Sequence, residues 1–274
     1  MCYEFKSLEF SNGILDNNID ITYIIHLENN GRYKNIMEQL NIFKPTKKVY
    51  ICFNKGYKNC KKSEKINKSN LDLVDTYINI LKHAENNGYK NALIFEDDFM
   101  FSDNILNINY TKSVNKFLSE HKDEEFVYML GNLPTLQIPS FNSDTSLLII
   151  GLGTHACFYS EKLIKKIVKD NHENILDWDD YLRNYRRYNF KLPLCYQLFP
   201  ITENYNNWTD VLSTRIIKKI IKINNLDTKA EPGYGRMYWF SYFLFYVLVF
   251  IFLILCIGFH ISYSMIFIIR KNYY

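Results

Sequence analysis

Three consecutive acids, Glu96-Asp97-Asp98, follow directly on the apolar run Ala92-Leu93-Ile94-Phe95. Adjacent carboxylates repel one another unless something positive sits among them. A divalent cation, Mn²⁺ or Mg²⁺, meets that need, because it takes carboxylate oxygens and leaves positions open for diphosphate oxygens. It would then neutralise charge on a departing nucleoside diphosphate. Asp98 is the first candidate ligand, and Asp97 or Glu96 the second. A second acidic group, Asp177-Trp178-Asp179-Asp180, offers a base for an acceptor hydroxyl. Asp179 or Asp180 is the candidate, with Asp177 as helper; acids also suit a helix's first turn for electrostatic reasons alone. His155 is a candidate for diphosphate or metal, against ordinary structural burial. Trp178 and Trp208 offer rings for a sugar or base, with core packing as the default for each.

These acids work only if secondary structure carries them to a common rim. Residues 92–95 read as a buried strand whose carboxyl end is the acidic triplet. Open α/β sheets bind ligands at that end of their strands. Ahead of the strand, residues 70–86 form a helix: Leu71, Val74, Ile78 and Leu81 repeat at helical spacing, Ser69 or Asn70 caps it, and Asn87-Gly88 ends it. Further strands are expected over 19–27, 48–53, 126–130, 146–150, 154–159 and 194–199. Helices are expected over 32–40, 114–121 and 161–170, with a helix or helical turn over 177–187. Strands alternating with helices indicate one α/β domain with a mostly parallel sheet.

Helix, Gly88-Tyr89, apolar strand and Glu96-Asp97-Asp98 together resemble glycosyltransferase family 25, the lipopolysaccharide and collagen galactosyltransferase type. Tyr23-Ile24-Ile25-His26-Leu27 followed by Arg32 resembles the family's opening strand and its Arg. Gly153-Thr154-His155-Ala156-Cys157-Phe158-Tyr159-Ser160 resembles its Gly-Thr…Ala-Tyr…Ser segment. Asp177-Trp178-Asp179-Asp180 and then Gln197 resemble its later acidic motif and the Gln beyond it. The match runs over roughly 19–208. Two positions depart: Lys68-Ser69-Asn70 stands where the family has Gly-Cys…Ser-His, and Phe99 follows the triplet instead of a basic residue. The resemblance implies a GT-A fold, a UDP-hexose donor and Mn²⁺. It places Arg32 near the nucleotide, and Glu96, Asp97, His155 and Gln197 are the other candidates for substrate contact. Sugar transfer passes through an oxocarbenium-like centre, and an inverting reaction needs the base named above. Two other readings are a degenerate domain that binds a nucleotide-sugar or glycan without turnover, and a membrane-tethered interaction protein.

Composition narrows the field. Of 33 basic residues only Arg270 and Lys271 follow Arg236, leaving 31 against 29 acids ahead of it. That near-balance argues against a nucleic-acid partner. The nine lysines between Lys44 and Lys68 read as a solvated surface. Six cysteines, none in a C-x-x-C pair, exclude the usual zinc spacing, and reduced thiols are expected in a chain of 274 residues.

Residues 237–269 contain no Asp, Glu, Lys or Arg. About 20 apolar residues suffice to cross a bilayer. Tyr238, Trp239 and Tyr242 stand at one end, where aromatic belts sit. The expected organisation is a catalytic domain over 1–214, a basic linker over 215–236, a single transmembrane helix over 237–269 and a tail over 270–274. The basic residues ahead of the helix favour a cytosolic body. Sequons at Asn67, Asn109 and Asn207 matter only if the body is lumenal. The acceptor is left open among glycan, protein and lipid.

Overall fold

A computed structural model describes residues 1–199 and 212–272. Trp208 and the Asn207 sequon lie outside the described residues. The chain forms β1 (Tyr3–Glu9), β2 (Ile21–Leu27), α1 (Tyr33–Ile42), β3 (Lys48–Asn54), α2 (Ser69–Asn86), β4 (Ala92–Glu96), β5 (Phe99–Phe101) and α3 (Ile108–Glu120). There follow β6 (Phe126–Met129), β7 (Leu133–Pro139), β8 (Thr145–Leu152), β9 (Ala156–Tyr159), α4 (Glu161–Lys169), α5 (Trp178–Leu182), β10 (Arg186–Phe190) and β11 (Cys195–Gln197). Two helices close the chain, α6 (Leu212–Ile223) and α7 (Gly233–Asn272).

Nine strands form one mixed sheet in the order β1-β3-β2-β4-β9-β6-β10-β8-β7, and β11 pairs with β5 in a small second sheet. Pairs β2/β3, β2/β4 and β6/β10 are parallel. β1, β9 and β8 run against the rest, so six of the nine strands share one direction. The central strands are apolar on both faces. In β4, Leu93 and Phe95 enter one core with α1 and α3, while Ala92 and Ile94 enter the other with α2 and α4. That is the two-residue period of a strand covered on both sides. β4 stops where its side chains become charged, and the Glu96 N–H makes one last bond to His155 O at 3.0 Å.

Several elements differ from expectation. The stretch 177–187 is helical only over α5, and Arg186–Phe190 is a strand paired parallel to β6. β1 and β7 were not among the expected strands. They form because β3 and β8 present edges that need partners. The stretch 215–236 is largely structured: Ile221 of α6 and Tyr234 of α7 are buried with Tyr196 and Leu226 in a third core cluster.

Helix α7 has 40 residues. Its first turns dock on the body: Tyr238 Oη donates to Asn132 Oδ1 (3.0 Å), Gln137 Nε2 donates to Ser241 Oγ (2.7 Å), and Tyr242 Oη lies 2.9 Å from Ser146 Oγ. The stretch Gly233–Tyr263 is long and apolar enough to cross a membrane, with a mean hydropathy of 2.8 in its most apolar window, none of it buried.

The thiols are not all reduced. Cys2 and Cys60 form a disulfide that ties the N-terminus to the loop ahead of α2. Two cysteines 58 residues apart signal nothing by spacing; the β1/β3 pairing brings them together. Beside the disulfide, Lys62 departs from its solvated neighbours. Its side chain is 5% exposed, pairs with Asp72, and donates to Asn54 Oδ1 at 2.9 Å.

Candidate functional site

The site is assembled at the carboxyl end of β4, from β4 itself, the β2–α1 turn, the segment between β8 and β9, α5 and β11. Asp97 belongs to the turn. Its Oδ2 accepts from the Leu27 N–H (3.1 Å) and from Asn30, and its Oδ1 from Arg32 Nη1 (2.6 Å). His26 Nδ1 lies 3.5 Å from Oδ2. Burial alone would raise this carboxyl, but His26, Arg32 and Asn30 together hold it below the usual range. Asp97 is therefore an ionised anchor whose two oxygens are both engaged.

Asp98 is differently disposed. Its Oδ2 accepts from Gln197 Nε2 (3.0 Å) and Arg32 Nη1 (3.2 Å), while Oδ1 is enclosed and without a hydrogen-bond partner. Burial pushes its carboxyl up to about 6 despite Arg32. Glu96 is pushed up to about 8, by burial first and then by the charges of Asp98 and Asp179. The Tyr77 hydroxyl donates to Glu96 Oε1 at 2.9 Å, and Thr154 Oγ1 donates to the same oxygen at 3.2 Å. Near neutral pH, Glu96 holds a proton.

Asp179 comes from α5. Its Oδ2 accepts from the Gly153 N–H at 3.1 Å, and its Oδ1 is enclosed and unpartnered. Burial raises its carboxyl, countered in part by Thr154. The fold separates it from its neighbours. Asp177 caps α5, accepting from the Asp180 N–H at 3.0 Å. Asp180 points outward, 64% exposed, and pairs with Arg183. Trp178 is core: it stacks on Tyr77 with centroids 4.7 Å apart and donates to Tyr159 Oη.

His155 is fully buried, with neither ring nitrogen hydrogen-bonded. Burial drives it down to about 4, so the ring is neutral. Two glycines make room for it. A Cβ on Gly131 would lie 1.7 Å from Cys195 O and 3.0 Å from His155 Nε2. Gly153 has φ +97°, and a Cβ there would sit 3.1 Å from His155 Nδ1. Gln197 is held by α7: its N–H donates to Tyr234 Oη (2.9 Å), and that hydroxyl donates to Gln197 O (3.0 Å).

Beside the triplet, a cleft of about 530 Å³ is walled by His26, Tyr33, Phe53 and Lys6. It reaches Asp97 through His26. The structure thus brings together Glu96, Asp98, Asp179, His155, Arg32 and Gln197, with Asp97 behind them. It leaves Asp180 outside and gives Asp177 a capping role. Thr154, read in the sequence only as part of the segment 153–160, completes the site together with Tyr77 and Tyr234, which were not singled out from sequence. Only the hydroxyl contacts of Tyr77 with Glu96 and of Tyr234 with Gln197 reveal those two. Among the described residues, no three His, Cys, Asp or Glu groups are already gathered to hold a metal ion.

No family model and no curated protein matches the sequence. Among solved structures, the chain is similar to A197 from STIV, at 13% identity and TM-score 0.40, over 67% of this chain and 86% of that one. It is also similar to UDP-glucose pyrophosphorylase complexed with UDP-glucose (10% identity, TM-score 0.33) and to the apo form (9%, 0.30), each over 62% of this chain and 72% of that one. Likenesses this slight carry no argument about chemistry, which rests on the site.

Proposed function

We propose that the chain is a glycosyltransferase, anchored by α7, that transfers a hexose from a UDP-sugar to a hydroxyl acceptor with inversion and with the help of Mn²⁺ or Mg²⁺. The observation that carries this reading is the pair of enclosed, unpartnered carboxylate oxygens, Asp98 Oδ1 and Asp179 Oδ1, at the end of a parallel strand. Orphaned buried oxygens are costly and call for a partner. The donor set fits a hard divalent cation held by few protein ligands, with substrate oxygens supplying the rest. Asp98 would hold it through its unpartnered Oδ1. Asp97, with both oxygens engaged, serves by fixing Arg32. When bound, the cation offsets negative charge on the leaving diphosphate.

The chain's own residues do the remaining work. Arg32, held by Asp97 and Asp98, presents a guanidinium to the diphosphate. Tyr33 and Phe53 wall the neighbouring cleft and suit a nucleoside base. Asp179 takes the proton of the acceptor hydroxyl, whose oxygen bonds C1 of the sugar as the C1–phosphate oxygen bond breaks and its electron pair leaves with UDP. Its raised carboxyl makes it a stronger base than a solvated aspartate. Glu96, protonated, lowers the repulsion around Asp98 and Asp179.

The test is UDP affinity and UDP-sugar turnover of the full chain in detergent, with Mn²⁺ and with EDTA, for wild type and Asp98→Ala. The full chain is needed because a cut at residue 236 removes the docked turns of α7. Metal-dependent binding with turnover, lost in the variant, is expected. Binding without turnover in the presence of acceptor-bearing membranes would favour a nucleotide-sugar-binding domain, and no binding in either condition would leave the interaction protein.

A further inference from the structure

Helix α7 is the rear wall of the site and the membrane span at once. Gln197 contacts Asp98 through its side chain and Tyr234 through its backbone, so a single residue separates Asp98 from the helix that leaves the body. From Tyr234 to Phe243, the first residue past the docked turns, there are nine residues. At 1.5 Å each that is about 14 Å of helix. A bilayer's headgroup layer is itself about 5–8 Å deep on each side. The helix is unbroken, and the bonds of Tyr238, Ser241 and Tyr242 keep the body from swinging on it.

Two other surfaces agree with a body resting on the bilayer. The docked residues of α7 meet Asn132, then Gln137, then Ser146, which pairs with Pro139, so the helix crosses β7 toward the closed end of the β7–β8 hairpin. At that end Phe141 is 94% exposed. Helix α6 packs inward through Ile221, in the cluster that holds Tyr234, and turns Ile216, Lys219, Lys222 and Ile223 outward. Mixed apolar and basic residues on one helical face suit a headgroup boundary.

We infer that the acceptor is a membrane-embedded amphiphile, whose hydroxyl on a headgroup or on a lipid-linked sugar meets the site without leaving the bilayer. This rests on the glycosyltransferase reading. A catalytic domain on a flexible stem reaches acceptors far from the membrane; this one is held at a fixed, short height. The acceptor oxygen forms the bond to C1, its proton goes to Asp179, and the C1–phosphate bond breaks toward UDP.

The experiment uses membranes containing the full chain, supplied in turn with UDP-[¹⁴C]glucose and UDP-[¹⁴C]galactose. Products are divided into a chloroform–methanol extract, acid-precipitable protein and water-soluble material. A variant with a ten-residue (Glu-Ala-Ala-Ala-Lys)₂ insert between Phe245 and Tyr246 lifts the body by about 15 Å of helix. Label in the lipid extract is expected, falling at least tenfold in the insert variant while UDP affinity and UDP release to water stay unchanged. Label in protein or soluble glycan, or lipid transfer indifferent to the insert, overturns the inference and leaves the glycosyltransferase reading standing. Absence of both UDP binding and UDP release from the wild type would instead sink that reading, and this inference with it.

Discussion

Replacing Glu96 by Gln removes a charge that the fold opposes and keeps the acceptor oxygen used by Tyr77 and Thr154. The carboxyl lies at about 8 in the folded chain against 4.5 ordinarily. Between those values the native state binds the extra proton, so stability falls as pH rises, by about 1.4 kcal/mol per pH unit. The contribution is complete below 4.5 and is lost on the way to 8. At pH 7 the loss reaches about 3 kcal/mol as an upper figure, trimmed by the solvent that reaches this half-buried residue. Glu96→Gln does not pay that cost. Urea unfolding of the detergent-solubilised, metal-free chain is expected to show the variant equal to wild type at pH 4.5 and more stable by about 2–3 kcal/mol at pH 7, with the gap widening toward pH 8. Turnover of the variant is expected to fall, the usual conflict between stability and a site built of opposed charges. A variant less stable than wild type at pH 8 would refute the assignment of a proton to Glu96.

Other outcomes follow from the same geometry. Mn²⁺-dependent UDP affinity should rise between pH 5.5 and 8, as Asp98 and then Glu96 lose their protons; titration calorimetry showing no pH dependence would contradict this. Lys62→Ala strands Asp72 in a buried setting and is expected to cost roughly 3–5 kcal/mol in urea unfolding, whereas a surface lysine such as Lys34 should change little. Gly131→Ala drives a methyl into Cys195 O and should cost about 1–3 kcal/mol, read as a lowered Tm. Alkylation of the unreduced, denatured chain should modify four cysteines, Cys52, Cys157, Cys195 and Cys256, and six after reduction. Six without reduction would show that the body folds with free thiols. The bond matters for topology, since disulfides persist chiefly in oxidising compartments, opposite to the cytosolic side that the flanking lysines and arginines favour.

Sequence by itself determined whatever depends on near neighbours. The α2 periodicity, the Asn87-Gly88 stop, the apolar run ending in Glu96-Asp97-Asp98 and the uncharged C-terminal stretch each fall within one element, where spacing and hydropathy act directly. Tertiary structure decided what depends on pairing across the chain. Three adjacent acids look alike in sequence, yet one is an anchor for Arg32, one keeps an open oxygen and one keeps a proton, because each meets different groups 19 to 99 residues away. Asp179 and Asp180 divide inward and outward by a single helical step that no composition predicts. Edge strands β1 and β7 exist to satisfy β3 and β8, and Cys2 reaches Cys60 only through that pairing. The docking of α7 behind Gln197 has the same cause: Tyr234, Tyr238 and Ser241 carry hydroxyls whose partners lie on β11, at Asn132 and on β7, and a hydrogen bond across so many residues leaves no local trace.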